Sequence, residues 1–395
     1  MKKLFKIYPL LFIKIIILSP IILLFLLIRL FIDLKIGKIE TQRIGHMIPQ
    51  TENFILEKKK KLNKNQYFIW FSDKIVCNHY ILKKFEKDLI ILPRQILEPI
   101  NIFFSFFKFD KKFNYYHKDR ITNEYRYGKK DDDLNLLKQF PSSIIFTDNE
   151  KKIGDQLLQN IGLKENNYIC FATRSNKYRD EKYESNRNSN IDNLMGAVKY
   201  IISNEIMAVR LGKNNDKKIE WDSNKIIDFS LSKKSSDFLD LYLVSKCKFM
   251  LTGGSGILYM AQLMRKKTLI ISFYQFDTLH HHALDYLPMV LPKKFFSSHE
   301  NKTLSYKEVF ERKLTSINTK HDLKMMGYEL IENTDEEIKE ATINMNNLLD
   351  NKFDLKFINK EQAQFWNIYM DSFKFDTKKL IICPTFFKKN LSLFQ

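Results

Sequence analysis

The longest hydrophobic signal in the chain is its first. Residues 9–32 are apolar almost throughout, with an uninterrupted core over 15–28. A bilayer span takes about 20 consecutive apolar residues, and this run reaches that length. Lys14 and Arg29 lie toward its ends, where long cationic side chains reach the interface. Pro20 would kink a helix built from it. Lys2, Lys3 and Lys6 precede the run and Lys35 and Lys38 follow it, so flanking charge does not set an orientation. No small-residue cleavage site follows, which argues against a removed signal peptide. The expectation is a membrane anchor over 1–33, kinked or shallow, crossing the bilayer or returning to the cytoplasmic face.

Past this run the period changes. Residues 34–39 predict a short strand, 50–59 a helix, and the aromatic-rich 67–71 a second strand. Residues 78–113 are apolar in helical patches broken by Pro93 and Pro99, with the Phe-rich piece 102–109 read as core. Residues 115–133 are polar and weakly patterned, a loop or linker. A second alternation starts near Thr147. It predicts a helix over 149–161 ended by Gly162, a strand over 168–172, a helix over 191–203, and strands over 206–211 and 226–229. A helix over 237–244 follows the cap Ser236. Later, Thr334 and Glu337 form a capping box that opens a helix to Leu349.

Strands alternating with helices predict parallel sheets. The fold class is α/β, two Rossmann-like doubly wound units facing a cleft, behind an N-terminal apolar membrane helix. The expected bounds are 34–146 for the first unit and 147–350 for the second. A C-terminal segment, 351–395, packs back on the first.

The chain's 395 residues suffice for two domains and an anchor. Its formal charge of +19, from 65 Lys and Arg against 46 Asp and Glu, favours anionic partners: nucleotide diphosphates and anionic lipid. No nucleic-acid-binding module appears, so nucleic acid is not expected as a partner. Cys77, Cys170, Cys247 and Cys383 are scattered without a C-x-x-C and read as reduced, buried thiols of a cytoplasmic compartment.

The segment with most chemical content is 247–273. An apolar run over 249–251 ends in Thr252, Gly253, Gly254, Ser255 and Gly256. An apolar-periodic helix over 257–264 follows, then a strand over 268–273. In open α/β sheets such a turn stands at the carboxyl end of a strand, where ligands bind. Free N–H groups and a positive dipole end favour phosphate there, and the glycines let an anion approach the backbone. The turn lacks the Gly-Lys-Ser/Thr ending of a P-loop, and Tyr259 stands where a dinucleotide fingerprint has its third glycine. A plain tight turn is the competing reading.

Several motifs recur in a fixed order: Arg43, Ile44, Gly45, His46; then 170–174, ending in Arg174; Arg187, Asn188, Ser189; Arg210, Leu211, Gly212, Lys213; 236–240; and Glu332, Asn333, Thr334. Together they resemble a family of bacterial glycosyltransferases of the GT-B-like type found in surface-polysaccharide gene clusters. The resemblance covers nearly all of the chain after the anchor. More distantly, two pieces are similar to heptosyltransferases. Gly45 and His46 stand where those enzymes carry a glycine and an aspartate base. Gly254, Ser255 and Gly256 match their late motif with its aspartate missing, and Tyr259 replaces their helix histidine.

The resemblance implies a membrane-associated enzyme of the bacterial inner membrane, at its cytoplasmic face. It would move a sugar from a nucleotide-sugar donor to a cell-surface glycan or lipid-linked acceptor, with no cofactor and no metal. Glycosyl transfer needs an acceptor proton removed, a leaving diphosphate stabilised and two substrates held in line. An ordinary imidazole titrates near 6.5, which suits His46 as the base, with Glu52 in reserve. Arg43 and Gly45 fall to the acceptor or a phosphate. Arg174, Arg187, Arg210, Gly212, Lys213 and the 253–256 turn fall to the donor. Asp237 and Asp240 read as helix-start residues. His280, His281 and His282 are adjacent and cannot all face one ion. The competing functions are a pyruvyl or phosphosugar transferase on the same plan, and a non-catalytic membrane-tethered nucleotide or glycan binder. Oligomeric state is not legible.

Overall fold

The structure, a computed structural model, describes residues 9–62, 64–106, 116–118, 125–127, 134–174, 184–212, 218–221, 223–233, 235–281, 286–373 and 380–395. The chain divides into two units, Met1–Ile145 and Phe146–Gln395, one residue from the break expected at 146/147.

The first unit opens with two helices, α1 (Pro9–Ile17) and α2 (Ser19–Ile28), bent by 60° at their junction. No single helix among the described residues is long and apolar enough to cross a membrane. The bend falls at the kink expected beside Pro20, and the membrane helix expected of this run is not supported as a single span. The physical reason lies at the bend. Pro20 has no N–H to give the carbonyl of Ile16, and the Ser19 hydroxyl takes that carbonyl instead at 2.7 Å.

A second correction concerns where the helices lie. Ile22 and Phe25 of α2 are buried with Leu34, Ile36, Phe71, Leu97, Ile100 and Phe104, with the Phe25 and Phe104 rings 5.4 Å apart. The apolar run is thus partly the unit's own core and does not stand outside it.

Strand β1 (Asp33–Ile39) pairs in parallel with β2 (Gln66–Ser72) across seven registered positions, and β2 pairs with the two-residue β3 (Ile90–Ile91). Gly37 faces Trp70, whose ring fills the space a side chain would need: a Cβ there would stand 2.3 Å from it. Helix α3 (Ile44–Lys59) connects β1 to β2. It starts six residues earlier than expected and runs through Pro49, so Gly45 and His46 lie in its first turn. The order β1-β2-β3 never reverses. Among the described residues the first unit is therefore not doubly wound, a further correction. The stretch after β3 goes to helix α4 (Arg94–Phe106) and to the short antiparallel pair β4 (Tyr116–Lys118) and β5 (Tyr125–Tyr127), which fall in the expected loop.

The second unit holds a seven-stranded, wholly parallel sheet in the order β15-β11-β10-β9-β6-β7-β8. The strands are β6 (Tyr168–Ala172), β7 (Met207–Arg210), β8 (Ile226–Asp228), β9 (Met250–Thr252), β10 (Thr268–Phe273), β11 (Met289–Pro292) and β15 (Ile381–Ile382). Strands β6, β9 and β10 are buried at every position, as sheets covered on both faces require. A small antiparallel sheet, β13-β12-β14, uses β12 (Lys294–Ser297), β13 (Lys302–Thr303) and β14 (Tyr328–Ile331).

Helix α5 (Asp335–Leu349) begins at the Thr334 capping box, with both reciprocal bonds present. Asp335 also accepts from the N–H of Gly196, and Gly196 has no room for a side chain beside it.

The described residues of 351–395 belong to the second unit, which corrects the expectation that assigned this segment to the first. They close the second unit's own sheet: β15 pairs with β11, and Phe365, Trp366, Tyr369, Phe386, Phe387 and Phe394 join that unit's core. The aromatic density of this segment needs a large apolar partner, and the open β11 edge supplies one.

Candidate functional site

The strand order of the second unit locates its crevice. After β6 the chain adds β7 and β8 on one side, then crosses to place β9 on the other. The reversal falls between β6 and β9, the switch point at whose carboxyl ends ligands bind in open parallel sheets. Ala172 and Thr252 are registered partners across it. Arg174 follows Ala172 by two residues, and Gly253 follows Thr252 directly.

The loop 184–190 completes the constellation. Arg174 is buried, its Nε donates to Asn188 Oδ1 at 3.1 Å, and its carbonyl accepts from the Ser189 N–H at 3.2 Å. A Cβ at Gly253 would stand 3.3 Å from Ser189 Oγ, and one at Gly254 3.8 Å from Arg187 Cγ. Arg174, Arg187, Ser189, Gly253 and Gly254 therefore gather at the carboxyl ends of the central strands β6 and β9. Two guanidinium groups beside a glycine turn make a receptor for a multivalent oxyanion, because charge-assisted forks are roughly twice as strong as neutral bonds.

The turn itself is tight. The Ser255 N–H donates to Gly253 O at 2.7 Å, and the hydroxyls of Thr252 and Ser255 lie 3.3 Å apart. The backbone N–H groups of Gly254, Gly256 and Ile257 have no partner among the described residues. The helix after the turn spans Leu258–Leu263, six residues against the eight expected. So short a helix contributes little macrodipole, which leaves the N–H groups and guanidinium groups as the anion's partners.

A buried lysine holds the loop. Lys293 is fully enclosed, and its Nζ donates to the carbonyls of Asn186 and Asn188, each at 3.0 Å, and to Glu332 at 2.7 Å. Burial pushes its pKa down from the ordinary 10.5, and the Glu332 carboxylate pulls it back up. Asn186 ties the same loop to the carbonyls of Ile317 and Thr319. Asn333 accepts from the Ser272 N–H and donates to the Pro292 carbonyl. Ser272, inside β10, has φ +53°. A non-glycine residue there is strained, and the strain is held at the carboxyl end of the strand beside the crevice.

The remaining expected residues scatter. Arg210 ends β7, and its guanidinium is bound to Asp228 at 3.0 Å in a buried pair across the β7–β8 register. Gly212 adopts φ +126°, a region L side chains rarely enter, and Lys213 lies outside the described residues. Of the three adjacent histidines, His282 is outside the described residues, as are the side chains of His280 and His281. Among the described residues no group of three or more His, Cys, Asp or Glu side chains is placed to hold a metal ion.

In the first unit, His46 lies just past the carboxyl end of β1, and its Nδ1 is 2.7 Å from Glu40 Oε2. Such a carboxylate fixes the ring's tautomer and orientation. Arg43 is exposed at the N-cap of α3, and Gly45 follows in its first turn. Glu52 is buried, and both its oxygens are engaged by Ser143, through the backbone N–H at 3.2 Å and through the hydroxyl. It fastens the 141–145 segment to α3 and is poorly placed as a reserve base.

Sequence reasoning did not single out Glu40, Asn188 as a partner of Arg174, or Lys293. The motif 332–334 contains Glu332, which holds the loop through Lys293, and Asn333, which ties β10 to β11. Lys293 gave one signal, a lysine directly after the apolar run 289–292 where a solvated loop would begin.

No protein-family model matches the sequence, and no curated protein matches it. Among solved structures, the chain is similar to the glycosyl transferase family 9 protein from Veillonella parvula DSM 2008, with 11% identity and a TM-score of 0.46 over 81% of this chain and 98% of that one. It is similar to E. coli ADP-heptose LPS heptosyltransferase II, with 12% identity and a TM-score of 0.37 over 60% of this chain and 84% of that one. E. coli heptosyltransferase WaaC with ADP gives 9% identity and a TM-score of 0.30 over 60% and 86%.

Proposed function

We propose that this chain is a membrane-associated glycosyltransferase. It would transfer a sugar from a nucleotide-sugar donor to a cell-surface glycan or lipid-linked acceptor at the cytoplasmic face of a bacterial inner membrane. The observation that carries the reading is the convergence of Arg174, Arg187 and the Gly253 turn at the β6–β9 switch point. The ordered motifs of the sequence support it independently.

In this reading the donor diphosphate lies against the backbone N–H groups of Gly254, Gly256 and Ile257 and between the two arginine side chains. As the glycosidic bond to the diphosphate breaks, negative charge grows on the leaving oxygen, and preorganised donors stabilise it without a metal ion. His46, oriented by Glu40, takes the proton of the acceptor hydroxyl as that oxygen attacks the sugar carbon. Arg210, held by Asp228, is assigned to the stability of the sheet edge.

Thermal denaturation of the whole protein against a panel of nucleotide sugars tests the reading. A donor present at 100 times its Kd adds about 2.7 kcal/mol of stability, a shift of several degrees. The cognate nucleotide sugar is expected to raise Tm in the wild type and by much less in Arg174→Ala. A panel that leaves Tm unmoved throughout would remove the donor site from the second unit.

A further inference from the structure

Helices α1 and α2 carry two opposed apolar faces. One is packed: Ile15 and Leu18 join Ile22 and Phe25 on the cluster formed with β1, β2 and α4. The other has no cover among the described residues. Ile13, Ile17, Leu23, Leu24, Leu27 and Phe31 are exposed, Phe31 to 86%. Contiguous exposed apolar surface of this extent marks an interaction site.

Charge identifies the occupant. Residues 1–32 contain five basic residues and no acidic one, and Lys14 is exposed among the apolar side chains of α1. An anionic lipid surface matches both the apolar face and its basic setting. Both halves of the bent pair are attached to the same core, so crossing a bilayer would mean tearing Ile15 and Leu18 from it along with Ile22 and Phe25.

We propose that the outer face of α1 and α2 docks on one leaflet, in the membrane plane, sinking into the headgroup–acyl boundary without crossing it. This rests on the membrane association proposed above and specifies its mode. The first unit is thereby held directly on the lipid surface where a lipid-linked acceptor would be presented.

The test uses full-length protein and sealed vesicles of phosphatidylcholine and phosphatidylglycerol, floated on a density gradient. The wild type is expected to float. Leu23→Ser, Leu24→Ser and Leu27→Ser together lower the bound fraction by about 10-fold or more at unchanged Tm. Should that variant fold poorly, Lys14→Glu tests the same face and is expected to bind more weakly. In a Cys77→Ser background, Lys3→Cys is expected to react with an impermeant maleimide added outside intact vesicles. Flotation with residue 3 protected until detergent is added overturns the in-plane mode and leaves membrane association standing. Absence of flotation overturns both. So does a concentration-dependent dimer that the same serines dissolve while vesicles are ignored.

Discussion

Lys293 Nζ donates to the carbonyl of Asn188 at 3.0 Å, and Asn188 in turn receives the guanidinium of Arg174 through its side chain. A residue with no exposure thus sets the position of the loop that brings Arg187 to the glycine turn. Lys293→Met leaves the carbonyls of Asn186 and Asn188 without that donor and Glu332 with only the more distant Lys320, at 3.8 Å. The expected cost is about 3 kcal/mol. Denaturant unfolding measures it, and a midpoint unchanged from wild type refutes the clamp.

How far this site was legible follows from which signals are local. Strands β6 and β10 match the expected runs because unbroken apolar stretches bounded by turn residues carry that signal in themselves. The Thr334 cap is equally local. Arg174 and the 253–256 turn were legible as strand-end residues. Their neighbourhood depends on the order in which strands join the sheet, which no window of sequence contains. Lys293 acts on residues more than a hundred positions earlier. Ile22 and Phe25 were hidden for the opposite reason. In a run apolar on every side, periodicity cannot mark the face that packs.

Arg174 and Arg210 both end strands, yet their surroundings separate their effects. Arg174→Ala is expected to weaken nucleotide-sugar binding about 10–100-fold, the worth of one or two charge-assisted hydrogen bonds. Arg174→Lys should not restore it, because a point charge lacks the fork. Arg210→Ala removes the cation of the half-buried Asp228, which keeps the Ser230 hydroxyl, and should cost about 1–3 kcal/mol of stability with donor affinity kept. Calorimetric titration of the folded variants decides, and equal losses of affinity in both would erase the distinction.

Asp277 supplies a pH dependence. Burial pushes its carboxyl above the ordinary 3.8, against a hydrogen bond from Thr315 that pulls it down, and its Oδ1 has no partner among the described residues. With the folded value above the unfolded one, the native state holds the extra proton between the two. The stabilisation is therefore full below about pH 4 and is lost as pH rises through the folded value. Asp277→Asn should raise Tm at neutral pH, with the gain vanishing near pH 4. A Tm difference that does not change with pH would show that this carboxyl is not the source.

The packing of α2 predicts that the apolar run cannot be trimmed cleanly. Removing residues 1–32 uncovers Leu34, Ile36, Phe71 and Phe104. The truncated protein should be insoluble or lose the first unit's cooperative unfolding. Phe25→Ala alone is expected to cost about 3–5 kcal/mol, because a ring in contact with Phe104 leaves a cavity. A soluble truncated chain with an unaltered unfolding transition would return the run to the role of a detached anchor.

The base assignment can be decided in the first unit alone. His46 has Glu40 at 2.7 Å from Nδ1, while Glu52 is spent on Ser143. If His46 removes the acceptor proton, His46→Ala lowers turnover by roughly 10²–10⁴-fold and leaves nucleotide-sugar affinity unchanged. Glu40→Gln lowers turnover in the same direction and by less. Glu52→Ala should destabilise the first unit by releasing the 141–145 segment, with turnover per folded molecule preserved. Near wild-type turnover in His46→Ala alongside a large loss in Glu52→Ala would transfer the base to Glu52. If both variants lose only nucleotide-sugar affinity, the first unit does not serve the acceptor, and the roles of the two units are exchanged.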